Sequence, residues 1–313
     1  MKNFFKNKRI TITGGQGFLG QVIKKKLEER GCKRISIVKH KEFDLVKMKD
    51  VKKMYKKQKP DLVFHLAATV GGIGINKKNP GKFFYENAMI NLQVIHQGYL
   101  NNVKKIVSAG SVSSYPANTS LPFDEKNLWK GFPEDGASSY GIAKRLIHAQ
   151  SIGYKKQYNF NSVLVLLTNL YGPKDNFNPK SSHVIASLIK KFYEAKMKKK
   201  EEVVVWGTGK ATRDFIYVDD AADGMLLAAE KYNDPEPVNL ASGKESKIKE
   251  IALMIKKYIN FKGKILWDSK MPTGPKRRVV NINKAKKEFD FKVKTSMDAG
   301  IKKTIEWYKL NEK

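Results

Sequence analysis

One glycine-rich turn constrains this chain more than anything else in it. Thr13-Gly14-Gly15-Gln16-Gly17-Phe18-Leu19-Gly20 follows an apolar, β-branched run, Arg9 to Thr13. It opens a helical pattern, Gln21 to Arg30, with Val22, Ile23 and Leu27 on one side and Gly31 closing it. Glycines at 14, 17 and 20 have no Cβ. The turn can therefore tighten, backbone can approach a pyrophosphate, and helix can pack closely on strand. The helix N-terminus adds N–H donors and positive dipole for an anion. A glycine triplet alone means little. In strand–turn–helix context at the head of a βαβ array it reads as a dinucleotide site, built on Gly14, Gln16, Gly17, Phe18 and Leu19.

The array continues. Strand patterns at Arg34–Val38, Asp61–Leu66, Val103–Ser108 and Ser162–Thr168 alternate with helical patterns at Val46–Lys57, Phe83–Asn101 and Tyr140–Tyr158. Short apolar strands alternating with helices predict an α/β fold, a Rossmann-type parallel sheet with helices on both faces. After residue 170 the pattern loosens into a loop over Tyr171–Ser181. A helix at Val184–Lys196, a strand at Val203–Trp206, a strand–helix unit at Phe215–Glu230 and helices near 247–259 and 297–310 follow. We expect a cofactor domain over 1–170, joined by about 210–235, and a smaller α/β substrate domain over 171–313, with a cleft between them.

The end of the second strand bears on which dinucleotide binds. A carboxylate there chelates the ribose hydroxyls of NAD and repels a 2′-phosphate. Here it reads Val38-Lys39-His40-Lys41, with no acid before Glu42 and Asp44. Lys39 and His40 favour NADP(H); Asp44 and Leu45 could hold the adenine edge.

Tyr140-Gly141-Ile142-Ala143-Lys144 puts Tyr and Lys on one helix face. A nearby ammonium favours ionised tyrosine and is expected to lower its pKa towards neutrality. Such a phenol can pass a proton to a carbonyl oxygen as hydride arrives. Ser111, after the fourth strand, can hydrogen-bond the same oxygen.

With these residues in view the chain resembles the GDP-L-fucose synthase family of extended short-chain dehydrogenases/reductases. The matching segments run almost end to end. They are Phe64-His65-Leu66-Ala67-Ala68-Thr69-Val70-Gly71-Gly72-Ile73, Gly110-Ser111 through Tyr115-Pro116, Tyr140 to Lys144, and Thr168 to Pro173 with Asp175-Asn176-Phe177. Ser182-His183-Val184-Ile185, Val203 to Gly209 and Arg213-Asp214-Phe215 complete them. The resemblance implies a Ser111–Tyr140–Lys144 reductase triad in which Tyr140 and Lys144 also line the cofactor, Lys144 holding the nicotinamide ribose, together with Leu66, Ala67 and Ala68. It implies that Asn169, His183, Trp206 and Arg213 contact a GDP-4-keto-6-deoxy sugar. It implies a homodimer through the helices at Phe83–Asn101 and Tyr140–Tyr158.

Two departures matter. The family epimerises C3 and C5 with a Cys–His acid/base pair before reducing C4. The His matches His183, but the Cys position, two before Tyr115-Pro116, holds Ser113. A thiol with a pKa of about 8.5 trades protons near neutrality, and a serine hydroxyl is far weaker. Cys32, the one cysteine, follows the first helix, far from the sugar end of a cofactor in this fold. The expectation is a C4 reductase of a hexose or heptose, its epimerase weak or absent; the alternative is a bifunctional enzyme. The second departure is the Met271-Pro272-Thr273-Gly274-Pro275-Lys276-Arg277-Arg278 loop. There Arg278 replaces a family lysine near the diphosphate, and the two are not equivalent donors.

Composition closes off other classes. One cysteine permits no internal disulfide and no Cys-based zinc site, so no metal is expected and a reducing, cytoplasmic setting fits. No apolar stretch reaches the roughly 18 residues a membrane helix needs. The net charge of +31, from 61 Lys+Arg against 30 Asp+Glu, admits an anionic partner. The lysines are spread along the chain, without the basic cluster and stacking aromatics of a nucleic-acid binder, so no nucleic acid is expected. A dehydratase would want a carboxylate beside Ser111, where Val112 and Ser113 stand.

Overall fold

The computed structural model describes residues 4–71, 73–179, 181–271 and 274–311. Gly72, Pro272 and Thr273 of the motifs above, and Met1–Asn3, lie outside the described residues. The chain runs β1 (Arg9–Thr13), α1 (Phe18–Glu29), β2 (Arg34–Val38), α2 (Met48–Gln58), β3 (Leu62–His65), α3 (Ile73–Lys78), α4 (Pro80–Leu100) and β4 (Lys105–Ser111). It continues through α5 (Ser138–Tyr158), β5 (Asn161–Leu167), β6 (Asn169–Tyr171), α6 (Val184–Met197), β7 (Glu202–Trp206), β8 (Thr212–Tyr217) and α7 (Val218–Lys231). It ends with β9 (Val238–Leu240), β10 (Glu245–Lys247), α8 (Ile248–Ile259), β11 (Lys264–Asp268), α9 (Asn283–Phe289) and α10 (Met297–Asn311).

The main sheet has six strands in the order β2-β1-β3-β4-β5-β9, and every pairing in it is parallel. Parallel sheets bury both faces, and the strand sequences supply both. In β5, Val163, Val165 and Leu167 enter one apolar cluster with α1, α7 and α9, while Leu164 and Leu166 enter a second with α2, α4 and α5. A third cluster lies under α6, α8 and α10, beside a three-stranded sheet (β10-β8-β6) and a parallel pair (β11-β7).

The strand order reverses between β1 and β3, which opens a crevice at their carboxyl ends. Ser111 ends β4 at that same edge of the sheet. Cys32 lies at the opposite edge, before β2, buried in the first cluster. The chain also re-enters the first unit late. β9 pairs with β5, and α9 packs on α7 through Ala285 and Phe289. Neither element was anticipated. A three-residue strand and a seven-residue helix carry too few apolar positions for a period to show.

Candidate active site

The glycine turn is shaped for close approach. Gly14 has φ +68°, and a Cβ there would meet Ala67 N at 2.8 Å. A Cβ on Gly20 would run into the carbonyl of Gly14. Gly17 N donates to Gly14 O (3.0 Å) and Gly17 starts α1 with no side-chain cap. The first N–H groups of α1, from Phe18 and Leu19 onward, therefore face the turn without a capping oxygen, as an anion site requires. Gln21 Nε2 donates to Gln16 O (2.9 Å) and braces the turn. Leu66 and Ala67 close the crevice from β3, their N–H groups donating to Thr13 Oγ1 (3.1 and 3.2 Å). This cradle, filled by any Cβ, fits a dinucleotide pyrophosphate.

At the end of β2, Lys39, His40 and Lys41 are all exposed. Glu42, the first acid, stands between Lys39 (3.5 Å) and Lys57 (3.8 Å). Asp44 is taken up locally: it accepts from Val46 N (3.2 Å) and pairs with Lys47 (3.4 Å). Leu45 is buried in the second cluster.

A polar chain that sequence reasoning missed runs beneath the crevice. Thr13 Oγ1 and His65 Nδ1 are 2.8 Å apart, His65 Nε2 and Asn91 Oδ1 3.1 Å, and Asn91 Nδ2 donates to Ala143 O (3.0 Å). Burial and the Lys144 ammonium push His65 down to about 3, so its ring is neutral. Asn91 Oδ1 is an acceptor, which puts the ring proton on Nε2 and makes Nδ1 an acceptor for the Thr13 hydroxyl. The chain joins the glycine turn to the helix that carries Lys144. Only the invisible fact that β1, β3, α4 and α5 meet at one point reveals it.

Ser111, Ser113, Tyr140 and Lys144 are brought together. Ser111 Oγ accepts from Ser113 N (3.1 Å), which leaves the hydroxyl hydrogen available to a ligand. The single turn Val112–Ser114 presses on α5: a Cβ on Gly141 would meet Ser113 O at 2.6 Å. Arg145 Nε fixes the same turn by donating to Ser114 O (2.7 Å). Lys144 is 1% exposed, its Nζ 5.9 Å from the centroid of the Tyr140 ring. One expectation is corrected. Tyr140 is not drawn towards neutrality; burial pushes it up to about 12 and pushes Lys144 down to about 8. The cost of burying a charge outweighs the ammonium's pull, so the phenol keeps its proton.

Among the residues expected to meet a sugar nucleotide, Asn169 Nδ2 donates to Asp214 O (3.0 Å). Asp214 in turn collects Ser242 Oγ (2.6 Å) and the N–H groups of Ser242 and Gly243. Arg213 Nη1 donates to the carbonyls of Thr212 and Pro275, both at 2.7 Å. Arg278 Nη2 donates to Glu134 Oε2 (2.8 Å). The two guanidiniums are close neighbours. Burial first and then Arg278 bring Arg213 down to about 10, against the pull of Glu134. Glu134 had no sequence signal, since its partner lies 144 positions away. Trp206 ends β7 on an outward face with Val204 and Leu266, 56% exposed, with Lys191 Nζ 5.5 Å from its ring. His183 immediately precedes α6, open at the surface yet set among protein atoms whose desolvation lowers its pKa. Among the described residues no hydrogen bond or ion pair joins His183 or Trp206 to the Ser111–Tyr140–Lys144 group.

Comparison with known proteins accords with this geometry. The NAD dependent epimerase/dehydratase family matches residues 10–241. GDP-L-fucose synthase 1 of Arabidopsis thaliana is 37% identical over 306 residues, covering 98% of this chain and 94% of the relative. A GDP-6-OMe-4-keto-L-xylo-heptose reductase from Campylobacter jejuni superposes with a TM-score of 0.92 at 31% identity, covering 100% of this chain and 99% of that one. A GDP-mannoheptose C4 reductase from the same organism, solved with NADP bound, gives 0.88 at 32%, covering 97% and 99%. The chain belongs to the NAD dependent epimerase/dehydratase family, and within it to the GDP-L-fucose synthase group of extended short-chain dehydrogenases/reductases.

Proposed function

We propose that the protein is an NADPH-dependent oxidoreductase that reduces the C4 ketone of a GDP-4-keto-6-deoxy sugar, a hexose or a heptose, with 3,5-epimerase activity weak or absent. The observation that carries the reductase is the meeting of Ser111, Tyr140 and Lys144 at the sheet edge that holds the glycine crevice. The turn from Gly14 to Leu19 would hold NADPH, with Lys39 and His40 placed for its 2′-phosphate, and the bound cofactor would supply hydride to C4. Tyr140 holds its proton up to about pH 12 and donates it to the O4 that hydride addition makes basic. The Lys144 ammonium steadies the tyrosinate this leaves. Ser111 donates its hydroxyl hydrogen to O4 because Ser113 N already occupies an oxygen lone pair. Arg213 and Arg278 receive the diphosphate, for which a guanidinium fork gives paired charge-assisted bonds. Asn169, Trp206 and His183 contribute the remaining contacts.

The unit of the first two apolar clusters holds the cofactor in this reading, and that of the third holds the sugar nucleotide. A homodimer forms through α4 and α5, where Phe84, Tyr85, Leu92 and Ile152 are apolar and exposed. A cytoplasmic setting suits the single buried thiol, Cys32.

The reductase-only part rests on Ser113. Inverting C3 or C5 needs one group to remove a proton and another to return one to the opposite face. His183, with its lowered pKa, is neutral at pH 7 and can only accept. Reaction with NADPH in D₂O tests both parts. We expect NADPH oxidation and a C4 alcohol without deuterium at C3 or C5. Deuterium at those carbons overturns the loss of epimerisation, and no NADPH oxidation with any GDP-4-keto sugar overturns the reductase.

A further inference from the structure

Residues 275–281 form a strap between the two units. At one end it is stitched to β8 and β10. Thr212 N donates to Lys276 O (3.0 Å), Arg278 N donates to Thr212 O (3.2 Å), and Arg277 grips Glu245 with two bonds (2.8 and 2.7 Å). At the other end Phe123 N donates to Val279 O and Asn281 N to Phe123 O, both at 2.9 Å. The backbone of Arg278 is thus held from both sides. Arg213 is tied to the same strap through Pro275 O.

Beside this strap Arg278 is paired with one carboxylate, Glu134. Arg278 has a side chain 17% exposed, and among the described residues its guanidinium makes one hydrogen bond, to Glu134. A guanidinium has five N–H donors, so most of its capacity is unused. Glu134 is more open, at 40%, and among the described residues Arg278 is the one partner of its carboxylate. It lies at the entrance to the turn Asp135–Ala137, six residues before Tyr140. The Glu134 carboxylate thus occupies the guanidinium of Arg278 that an incoming anion would need.

Resting on the reading that this arginine pair takes the diphosphate, we propose that Glu134 is an internal competitor: a carboxylate that competes with the diphosphate for Arg278 and so weakens nucleotide binding. In the free protein it occupies one donor of the guanidinium. On binding, a phosphate oxygen replaces it. Any nucleoside diphosphate must therefore displace Glu134, and binds less tightly than it would to an uncontested guanidinium.

Calorimetric titration of the full-length protein with GDP tests this. Glu134→Gln keeps the shape and removes the charge, and should bind GDP about two- to fivefold tighter than wild type, the scale of a partly exposed ion pair. Glu134→Ala should shift in the same direction. On an Arg278→Gln background Glu134→Gln should change GDP affinity less than about twofold, because the contested guanidinium is gone. Equal or weaker binding by Glu134→Gln, with wild type binding GDP, overturns the competition and leaves the proposed function standing. Tightening that persists in the Arg278→Gln background also overturns it, since the charge then acts at a distance. Wild type that binds no GDP takes down this inference and the reading of the arginine pair together.

Discussion

Tyr140 is the side chain on which two opposing effects meet. A spacing of four from Lys144 is legible in the sequence, and so is the sign of the ammonium's influence. What cannot be read is depth. Burial raises the phenol to about 12 and lowers the ammonium to about 8, so in the proposed reduction a protonated Tyr140 works beside a Lys144 whose charge fades above pH 8. The signs then follow. Below pH 8 the ammonium is present and can stabilise the tyrosinate left by proton donation. Above it that help is lost while Tyr140 is still a phenol. We expect kcat for reduction to be level below about pH 8 and to fall above it; a profile rising from pH 6 to 9 contradicts this assignment. Tyr140→Phe should lower kcat by about 10²- to 10⁴-fold, the usual contribution of a placed proton donor, with NADPH affinity measured by fluorescence unchanged. Ser111, Tyr140 and Lys144 are recoverable from local spacing because each sits at the end or on one face of a regular element. Glu134, His65 and Asn91 are not. Their roles arise from partners 144, 52 and 52 positions away, and no local pattern encodes such distances.

At the scale of elements, the contact between α5 and the turn Val112–Ser114 governs the site. Gly141 sits in the first turns of α5, where alanine normally stabilises a helix by up to about 1 kcal/mol. Here the sign reverses, because a Cβ would lie 2.6 Å from the Ser113 carbonyl, and backbone cannot give way as a flexible side chain can. Gly141→Ala must push α5 off the turn, taking Tyr140 away from Ser111. We expect a loss of about 1–3 kcal/mol of stability, the typical cost of overpacking, and a fall in kcat larger than the change in KM. Thermal unfolding and steady-state kinetics read the two effects separately; a Gly141→Ala protein as stable and active as wild type would show that the turn is loose. The long elements were legible for the same reason that this contact is rigid. The strands β3, β4 and β5 put apolar residues onto two covered faces, β1 puts Ile10 and Ile12 onto one, and α1 shows one apolar side. By contrast α3, α9, β9 and β10 are short and obtain their order from packing. Phe289 of α9, for instance, is buried against α7 from the far end of the chain.

Across the whole molecule, strand order and charge act independently. The order β2-β1-β3-β4-β5-β9 places one crevice at the edge where β1 and β3 diverge, and the alternation of strands and helices already implied such a switch point without giving its far edge at β9. The net charge of +31 contributes nothing to that topology. It does act on stability. Some lysines have carboxylate partners, such as Lys26 with Asp223 (3.1 Å) and Lys231 with Asp290 (2.8 Å), but 61 bases against 30 acids leave a net excess of 61 − 30 = 31 positive charges. Folding gathers these charges from an extended chain into a compact volume, so their mutual repulsion opposes the native state. Salt reaches this repulsion because the charges are on the surface and many ångströms apart. The screening length drops from about 30 Å at 0.01 M to about 10 Å at 0.1 M. Close ion pairs weaken too, but exposed pairs contribute only about 0–1 kcal/mol each, while repulsion sums over the whole surface. We therefore expect the Tm to rise as sodium chloride goes from 0.01 to 0.2 M, with most of the gain below 0.1 M. A Tm that falls over that range would mean that attractive pairs, not the excess of lysine, dominate the surface field.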